Sequence, residues 1–174
     1  MGGVAKASLE IGGVTLLERA LAATVSAAEV VVVGEPEPTS RPVTWTREDP
    51  PGGGPAAGLL AGVDRFLNAP DLVLVLAVDM PRVHAGTVAR LMWAVEADDS
   101  VDAAVLVDAS GRRQPLAGVY RRSALVGARP AERQAEHGLP VRALVAALSV
   151  VEVPAEADEA RDVDTWADLR ALDD

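Results

Sequence analysis

The chain has 174 residues, a formal net charge of −10 and no cysteine. This length suits one domain with a good core, so residues 1–174 are expected to form a single domain. The acidic charge argues against nucleic acid or an anionic membrane as the main partner, and the lack of cysteine excludes disulfides and thiolate metal sites. No stretch approaches the ~20 apolar residues that span a bilayer, and no secretory signal pattern opens the sequence, which predicts a cytoplasmic protein.

Helices and short strands alternate along the first half of the chain. Thr15-Leu16-Leu17-Glu18 has the pattern of a capping box at a helix start, just after a turn marked by Gly12 and Gly13. A loop rich in proline and glycine leads into a second helix, with Pro55 in its first turn. The elements predicted here are a helix from Thr15, strands at 30–33 and 43–46, and a helix over 56–67.

The second half of the chain opens with an unbroken apolar run at 72–78. Such a run is typical of a strand buried on both faces, and so of a parallel sheet. Strands on either side of a Ser110-Gly111 turn are expected to form an antiparallel pair. The remaining predicted elements are a helix with apolar residues at 88, 91, 92 and 95, strands at 103–107 and 115–120, a helix over 141–148, a strand at 150–153 and a helix from Thr165. Strands that alternate with helices predict an α/β fold with a mainly parallel sheet.

The strand at 72–78 stops at Asp79, which is a candidate functional residue. Open α/β sheets bind ligands just beyond the carboxyl ends of their strands. A carboxylate there can hold Mg²⁺ together with substrate phosphates, and a chain with no Cys and two His favours oxygen ligands. The alternative is that Asp79 caps the helix or turn that follows it.

Two glycine-rich segments could bind phosphate. Gly2 and Gly3, followed by Lys6, could bring backbone N–H groups and a positive charge to a phosphate group. The loop at 47–58 runs into a helix N-terminus, which favours anions. The alternatives are a solvated terminus with a solvated lysine and a plain connecting loop.

A second pair of carboxylates stands near the C-terminus, in Asp162-Val163-Asp164-Thr165. Asp164 could share one Mg²⁺ with Asp79, because both would lie at one edge of the predicted sheet. The alternative is a helix start that Thr165 caps between charged neighbours.

Taken in order, these features resemble the nucleotidyltransferases of the molybdenum cofactor guanylyltransferase (MobA-like) type. Met1-Gly2-Gly3-Val4-Ala5-Lys6 is similar to Arg-Met-Gly-x-x-Lys, the second half of that family's opening motif. The other matching segments are residues 8–17, Glu48-Asp49 with Gly54-Pro55-Ala56-Ala57-Gly58, Asp79-Met80-Pro81, Gln114-Pro115-Leu116 and Asp162-Val163-Asp164-Thr165. The resemblance spans essentially the whole chain.

The resemblance implies a Rossmann-like, mostly parallel sheet with helices on both faces and one antiparallel strand, of the nucleotide-diphospho-sugar transferase type. It implies transfer of GMP from GTP to molybdenum-bound molybdopterin, with release of pyrophosphate and with Mg²⁺ as cofactor. The implied partners are GTP and a molybdopterin-type acceptor, with transient contacts to enzymes that make or accept the cofactor.

The same resemblance implies roles for individual residues. Lys6 and Asp79 are the expected catalytic residues, and Asp79 and Asp164 the expected metal ligands. The residues expected to bind the nucleotide or the acceptor are Gly2, Gly3, Lys6, Asp49, Gly54, Pro55, Gly58 and Gln114. Nucleotidyl transfer of this kind depends mainly on positioning and charge neutralisation.

The sequence departs from the family's pattern in two places. The late motif carries aspartates where asparagines are frequent, and Trp166 replaces the usual proline. The family's first strand and Leu-Ala-Gly-Gly loop have no counterpart before Met1, although that strand is central in the family's sheet. Because unpaired backbone groups are costly when buried, we expect the functional protein to be longer than this chain.

Two other functions stay open at this level. A related nucleotidyltransferase could use CTP or another nucleoside triphosphate with a different phosphorylated acceptor, since the sequence gives no independent reading of the base. The chain could also be a non-catalytic nucleotide-binding or scaffold protein, given the missing phosphate loop. We interpret His84 as a helix-start residue, and Trp45, Trp93 and Trp166 as packing side chains.

Overall fold

The computed structural model describes residues 6–172, in which short strands and helices alternate. The strands are β1 (Glu10–Ile11), β2 (Val14–Thr15), β3 (Val31–Val33), β4 (Thr44–Thr46), β5 (Leu72–Leu76), β6 (Ala103–Val107), β7 (Arg113–Arg121) and β8 (Val150–Pro154). The α-helices are α1 (Leu16–Ala23), α2 (Pro55–Arg65), α3 (Ala85–Glu96), α4 (Arg122–Gly127), α5 (Val141–Leu144) and α6 (Trp166–Arg170). Short 3-10 helices lie at Lys6–Ser8 and Arg133–Glu136. No helix in this described part is long and apolar enough to cross a bilayer.

The larger sheet has four strands in the order β5-β7-β6-β8. Strand β7 runs antiparallel to both of its neighbours, whereas β6 and β8 are parallel. Strands β3 and β4 form a separate parallel pair, and β1 and β2 form a hairpin. The mixed α/β class is therefore confirmed, and β7 is the antiparallel strand that the turn at Ser110-Gly111 predicts.

Helices cover both faces of the four-stranded sheet, because successive side chains of a strand point to opposite faces. On one face, Leu106 of β6 packs in a cluster with Leu91 of α3. On the other face, Val105 of β6 packs in a cluster with Leu60 of α2 and Leu125 of α4. All five side chains are buried. The two clusters fix the layers and leave the strand ends and their loops to form a site.

Strand β5 is less buried than its apolar sequence predicts, since only Val73 of its residues is buried. Within residues 6–172, β5 pairs only with β7, and β3 pairs only with β4. A strand that paired with both β3 and β5 would join the two sheets into one.

The helix starts show where local patterns hold and where tertiary contacts change them. The Thr15 hydroxyl caps α1 by accepting from Glu18 N at 3.1 Å, as predicted. The Glu18 carboxylate, however, accepts from Ser40 N at 2.6 Å and from the Ser40 hydroxyl instead of returning to the helix start. The glutamate of the predicted capping box therefore holds the loop between β3 and β4 and does not cap the helix.

Two expectations about side chains and helix length are wrong. Trp93 is 74% exposed and Trp166 is 49% exposed, so neither is a core packing residue. Residues two positions apart do not share a face of a helix, so Trp93 points away from the buried Leu91 and from the apolar stripe of α3. Helix α5 ends at Leu144, well before residue 148.

Gly118 of β7 provides a test of the packing in the four-stranded sheet. A Cβ at this position would lie 2.8 Å from Ala104 O and 2.8 Å from Val105 Cγ1. We expect Gly118→Ala to lower the free energy of unfolding by about 1–3 kcal/mol, because strand backbone would have to move. Urea unfolding followed by circular dichroism measures this. Gly127→Ala is the control, since nothing lies within 4 Å of its added Cβ; equal unfolding of the two variants would contradict the packing described.

Candidate active site

Lys6 joins two carboxylates that are far apart in the sequence. Its Nζ donates to Asp79 Oδ2 and to Asp164 Oδ1, at 2.8 Å in each case. Asp79 follows β5 and Asp164 precedes α6, so the group lies beyond the carboxyl end of β5. The side chains of Asp79 and Asp164 are 26% and 64% exposed, respectively. The structure thus brings together the lysine and both carboxylates that the sequence singles out, where a ligand from solvent can reach them.

A small apolar cluster explains why these charged residues meet. Leu9 and Val163 are buried in this cluster, and Val78 packs against it. Each of the three lies next to a charged residue of the group or one turn away from it along the chain. In addition, Val163 N donates to Asp79 O at 2.8 Å, which ties the late motif to the end of β5. Hydrophobic burial therefore holds the three segments, and a backbone hydrogen bond sets their register.

The surroundings of Lys6 stabilise its charged ammonium form. Partial burial disfavours the ammonium form, but hydrogen bonds to Asp164 and Asp79 and the charges of both carboxylates outweigh it and raise the pKa of Lys6. Lys6 is also the only lysine of the chain. Its isolation is a sequence signal that could have given this residue more weight.

The two carboxylates fit a metal ion that substrate oxygens help to bind. Mg²⁺ prefers oxygen ligands and is commonly held by one or two carboxylates together with substrate phosphates. Asp79 and Asp164 already share one cation, the Lys6 ammonium, so their oxygens are close enough to serve a common positive charge. In the described residues no group of three or more His, Cys, Asp or Glu side chains could hold a metal. A metal ion at this point would therefore need further oxygens from water or substrate.

The predicted glycine-rich loop connects β4 to α2. Gly54 is the N-cap residue of α2, with a φ of 87° that glycine adopts without strain. Pro55 is the first helical residue, and Gly58 N donates to Gly54 O at 3.0 Å. Gly54 has no side chain to cap the helix, so the N-terminal amides of α2 suit an anion.

A cavity of about 200 Å³ lies beside this loop, and Asp49 lines it. The opposite wall comes from the second 3-10 helix, with Arg133, and from His137 directly after it. This segment is held against the loop because Gly138 N donates to Gly53 O at 2.8 Å. Sequence reasoning missed the opposite wall, since nothing in its composition indicates where it docks. Within residues 6–172, no hydrogen bond or ion pair joins the loop to Lys6, Asp79 or Asp164.

Gln114 lies at the start of β7, which is close to the carboxyl end of β5. Ala77 N donates to Leu116 O at 2.7 Å, so the two strand ends share one edge of the sheet. Gln114 Nε2 donates to Asp108 Oδ2 at 3.1 Å and is held by the turn before β7. The structure thus puts Gln114 at the same edge as Asp79. Gly2 and Gly3 lie outside the described residues, and their expected contact with phosphate stays a prediction.

The four-stranded mixed sheet with helices on both faces is similar to solved nucleotidyltransferase structures. Molybdopterin-guanine dinucleotide biosynthesis protein A from Archaeoglobus fulgidus is 20% identical, with a TM-score of 0.72 over 98% of this chain and 90% of that chain. A nucleotidyl transferase from Methanothermobacter thermautotroptrophicus is 22% identical, with a TM-score of 0.71 over 98% of this chain and 84% of that chain. At these identities the likeness establishes the fold.

The sequence itself establishes the family. The model of the MobA-like NTP transferase domain matches residues 1–153, and the chain belongs to this family. The 2-C-methyl-D-erythritol 4-phosphate cytidylyltransferase from Thermus thermophilus is 27% identical, with a TM-score of 0.63 over 97% of this chain and 91% of that chain. Comparison with the curated proteins gave no match.

Proposed function

We propose that this chain is a Mg²⁺-dependent guanylyltransferase, which moves GMP from GTP to the terminal phosphate of molybdenum-bound molybdopterin. An oxygen of the acceptor phosphate forms a bond to the α-phosphorus of GTP. The bond from that phosphorus to the bridging oxygen breaks, and pyrophosphate leaves with the electron pair. No general base is needed, because the acceptor phosphate is already ionised near neutral pH. Membership of the NTP transferase family supports the reaction class.

The observation that carries this proposal is the bridge from Lys6 to Asp79 and Asp164 beyond the end of β5. In the proposed site the two carboxylates hold Mg²⁺, which supplies positive charge to the phosphates of the substrate. Lys6 carries a compact charge on a flexible side chain, and in this proposal it stabilises the negative charge of the triphosphate. The two carboxylates would then position the cation, and oxygens of the substrate would complete its coordination.

The glycine-rich loop is the proposed nucleotide-binding side of the site. The N-terminal amides of α2, after Gly54 and Pro55, suit an anionic ligand, and Gly58 lies in the same part of the helix, beside Val33 of β3. Asp49 lines the adjacent cavity and is proposed to position the nucleotide base. Gln114 is proposed to lie near the acceptor, because it stands at the same sheet edge as Asp79.

A cytidylyltransferase is the second candidate function. The supporting observation is the 27% identity to a cytidylyltransferase, above the identity to the guanine dinucleotide protein of similar fold. In either case we propose that residues 1–174 act as one nucleotidyltransferase unit in the cytoplasm, with nucleotide and a phosphorylated small molecule as partners.

Thermal unfolding with nucleotides distinguishes the candidates. A ligand present at about 100 times its Kd should stabilise the protein by roughly 2.7 kcal/mol, which raises Tm by roughly 5–10 °C in a chain of this size. We expect this rise with GTP and Mg²⁺, and a much smaller one with ATP or UTP. A larger rise with CTP would favour the cytidylyltransferase. No rise with any nucleoside triphosphate at millimolar concentration would contradict both and favour a scaffold protein.

A further inference from the structure

The loop between β8 and α6 contains a buried carboxylate outside the proposed transfer site. Glu159 is 4% exposed. Its Oε1 accepts from the Thr87 hydroxyl at 2.6 Å, and its Oε2 accepts from Glu156 N at 2.9 Å and from Arg90 Nη2. A buried charge is costly unless it is paired and hydrogen-bonded, and Glu159 meets both conditions. These hydrogen bonds lower the pKa of Glu159 although burial opposes the charged form.

The side chains that donate to Glu159 lie in the first turns of α3, the helix that follows Asp79. The Thr87 hydroxyl is fully buried and also accepts from His84 N at 3.2 Å. His84 is the N-cap residue of α3, as predicted; its Nδ1 accepts from Gly86 N at 3.0 Å, and its Nε2 lies 3.2 Å from Glu159 Oε1. Glu159 therefore fastens its loop to the start of α3.

The same loop determines where Asp164 lies. In residues 155–165 the buried side chains are Glu159 and Val163, and Val163 N is bonded to Asp79 O at 2.8 Å. The Asp164 side chain is 64% exposed and reaches Lys6 from this loop. A polar anchor on α3 and an apolar anchor beside Asp79 thus fix the segment from which Asp164 projects.

We propose that Glu159 is a positioning residue, which docks the 155–165 loop on α3 and thereby sets the spacing between Asp79 and Asp164. Its catalytic consequence rests on the proposed function; its structural consequence does not. Charge-assisted hydrogen bonds fix direction as well as distance, which an apolar contact does not. A displacement of about 1 Å near reacting groups can cost about a hundredfold in rate, so loss of this anchor should impair transfer.

Hydrogen exchange tests the docking without any substrate. Glu159→Gln keeps the shape of the side chain, but its amide N–H₂ group cannot accept the hydrogen bonds that one of the carboxylate oxygens accepts. We expect the Val163 amide to exchange at least about tenfold faster in this variant, while the Val105 amide of β6 keeps its protection. Glu156→Gln is the matched control, because it removes an exposed carboxylate from the same loop. This carboxylate lies 3.5 Å from Arg90 Nη1, and an exposed ion pair of that length contributes little, so Val163 should be unchanged. Unchanged protection of Val163 in Glu159→Gln would overturn the inference.

Variants of Thr87 repeat the test from the other side of the contact. Thr87→Val lacks the hydroxyl that donates to Glu159, and it should also speed the exchange of the Val163 amide. Thr87→Ser restores the hydroxyl and should restore the protection. If Thr87→Val and Thr87→Ser behave alike, the contact with Glu159 does not position the loop.

A double-mutant cycle tests whether Glu159 acts through Asp164. We expect Glu159→Gln to lower kcat about tenfold in the parent, and to have little further effect in Asp164→Asn. If Glu159→Gln lowers kcat equally in the parent and in Asp164→Asn, Glu159 does not act through Asp164. If the parent transfers no nucleotide at all, the proposed function fails, and the exchange of the Val163 amide still decides the positioning role.

Discussion

Replacement of Asp79 by asparagine is expected to lower nucleotidyl transfer at least about a hundredfold, because it removes a carboxylate proposed to hold the metal ion near the developing charge. The same change replaces one of the two carboxylates that accept from Lys6 Nζ by a neutral amide. The fold should persist, since the side chain lies beyond the end of β5 and is 26% exposed. Steady-state release of pyrophosphate, with thermal unfolding measured in parallel, tests both expectations.

Asp71→Asn is the matched control at the opposite end of β5. Asp71 is exposed, and its backbone carbonyl, which accepts from Arg122 N, is unaffected by the substitution. Turnover of this control should stay within about twofold of the parent. If Asp79→Asn also keeps turnover within a few-fold, Asp79 only terminates its strand and the proposed metal site is wrong.

Replacement of Lys6 by methionine is expected to change transfer and metal binding in opposite directions. Methionine keeps most of the length of the side chain but removes the charge, so transfer should fall by about a hundredfold. Asp79 and Asp164 then lose the ammonium that they share, and two like charges remain near each other. A divalent cation should relieve this repulsion, and Mn²⁺ without nucleotide should therefore raise Tm more in Lys6→Met than in the parent.

The double variant Lys6→Met/Asp164→Asn is the control for the metal arm. With one carboxylate removed, the added stabilisation by Mn²⁺ should disappear. A Tm response to Mn²⁺ that is the same in the parent, Lys6→Met and the double variant would show that the ion binds elsewhere. If Lys6→Met transfers nucleotide at the rate of the parent, Lys6 does not have the proposed role.

Much of the fold could be read from local patterns. The apolar runs at β5 and β6 are uninterrupted, and the Thr15 and Thr165 patterns mark the starts of α1 and α6. The extent of burial could not be read in this way, because it depends on how many neighbours a strand has. The run at 72–78 has the composition of a central strand, yet β5 pairs only with β7 within residues 6–172. Trp93 likewise has a core-forming side chain on the outward face of α3.

The candidate site shows the same division between pattern and packing. The strand-terminal position of Asp79 and the motif at 162–165 identify the carboxylates by residue type and order along the chain. Their meeting through Lys6 depends on the cluster of Leu9, Val78 and Val163, and no local pattern in the sequence shows that these apolar residues share one core. The cavity wall at Arg133 and His137 is a second case, since contacts with distant segments dock it: Gly138 N donates to Gly53 O, and Arg133 donates to Asp64 of α2.

The sequence by itself determined the class of fold, the family and the carboxylates at the strand end, because these depend on periodicity and on the order of motifs along the chain. Tertiary structure alone decided that one ammonium bridges Asp79 and Asp164 and that Glu159 is a buried acceptor instead of a solvated charge. The physical reason is that burial and hydrogen bonding of a charged group are set by distant segments of the chain. Local sequence fixes which groups are available, and long-range packing fixes which of them meet.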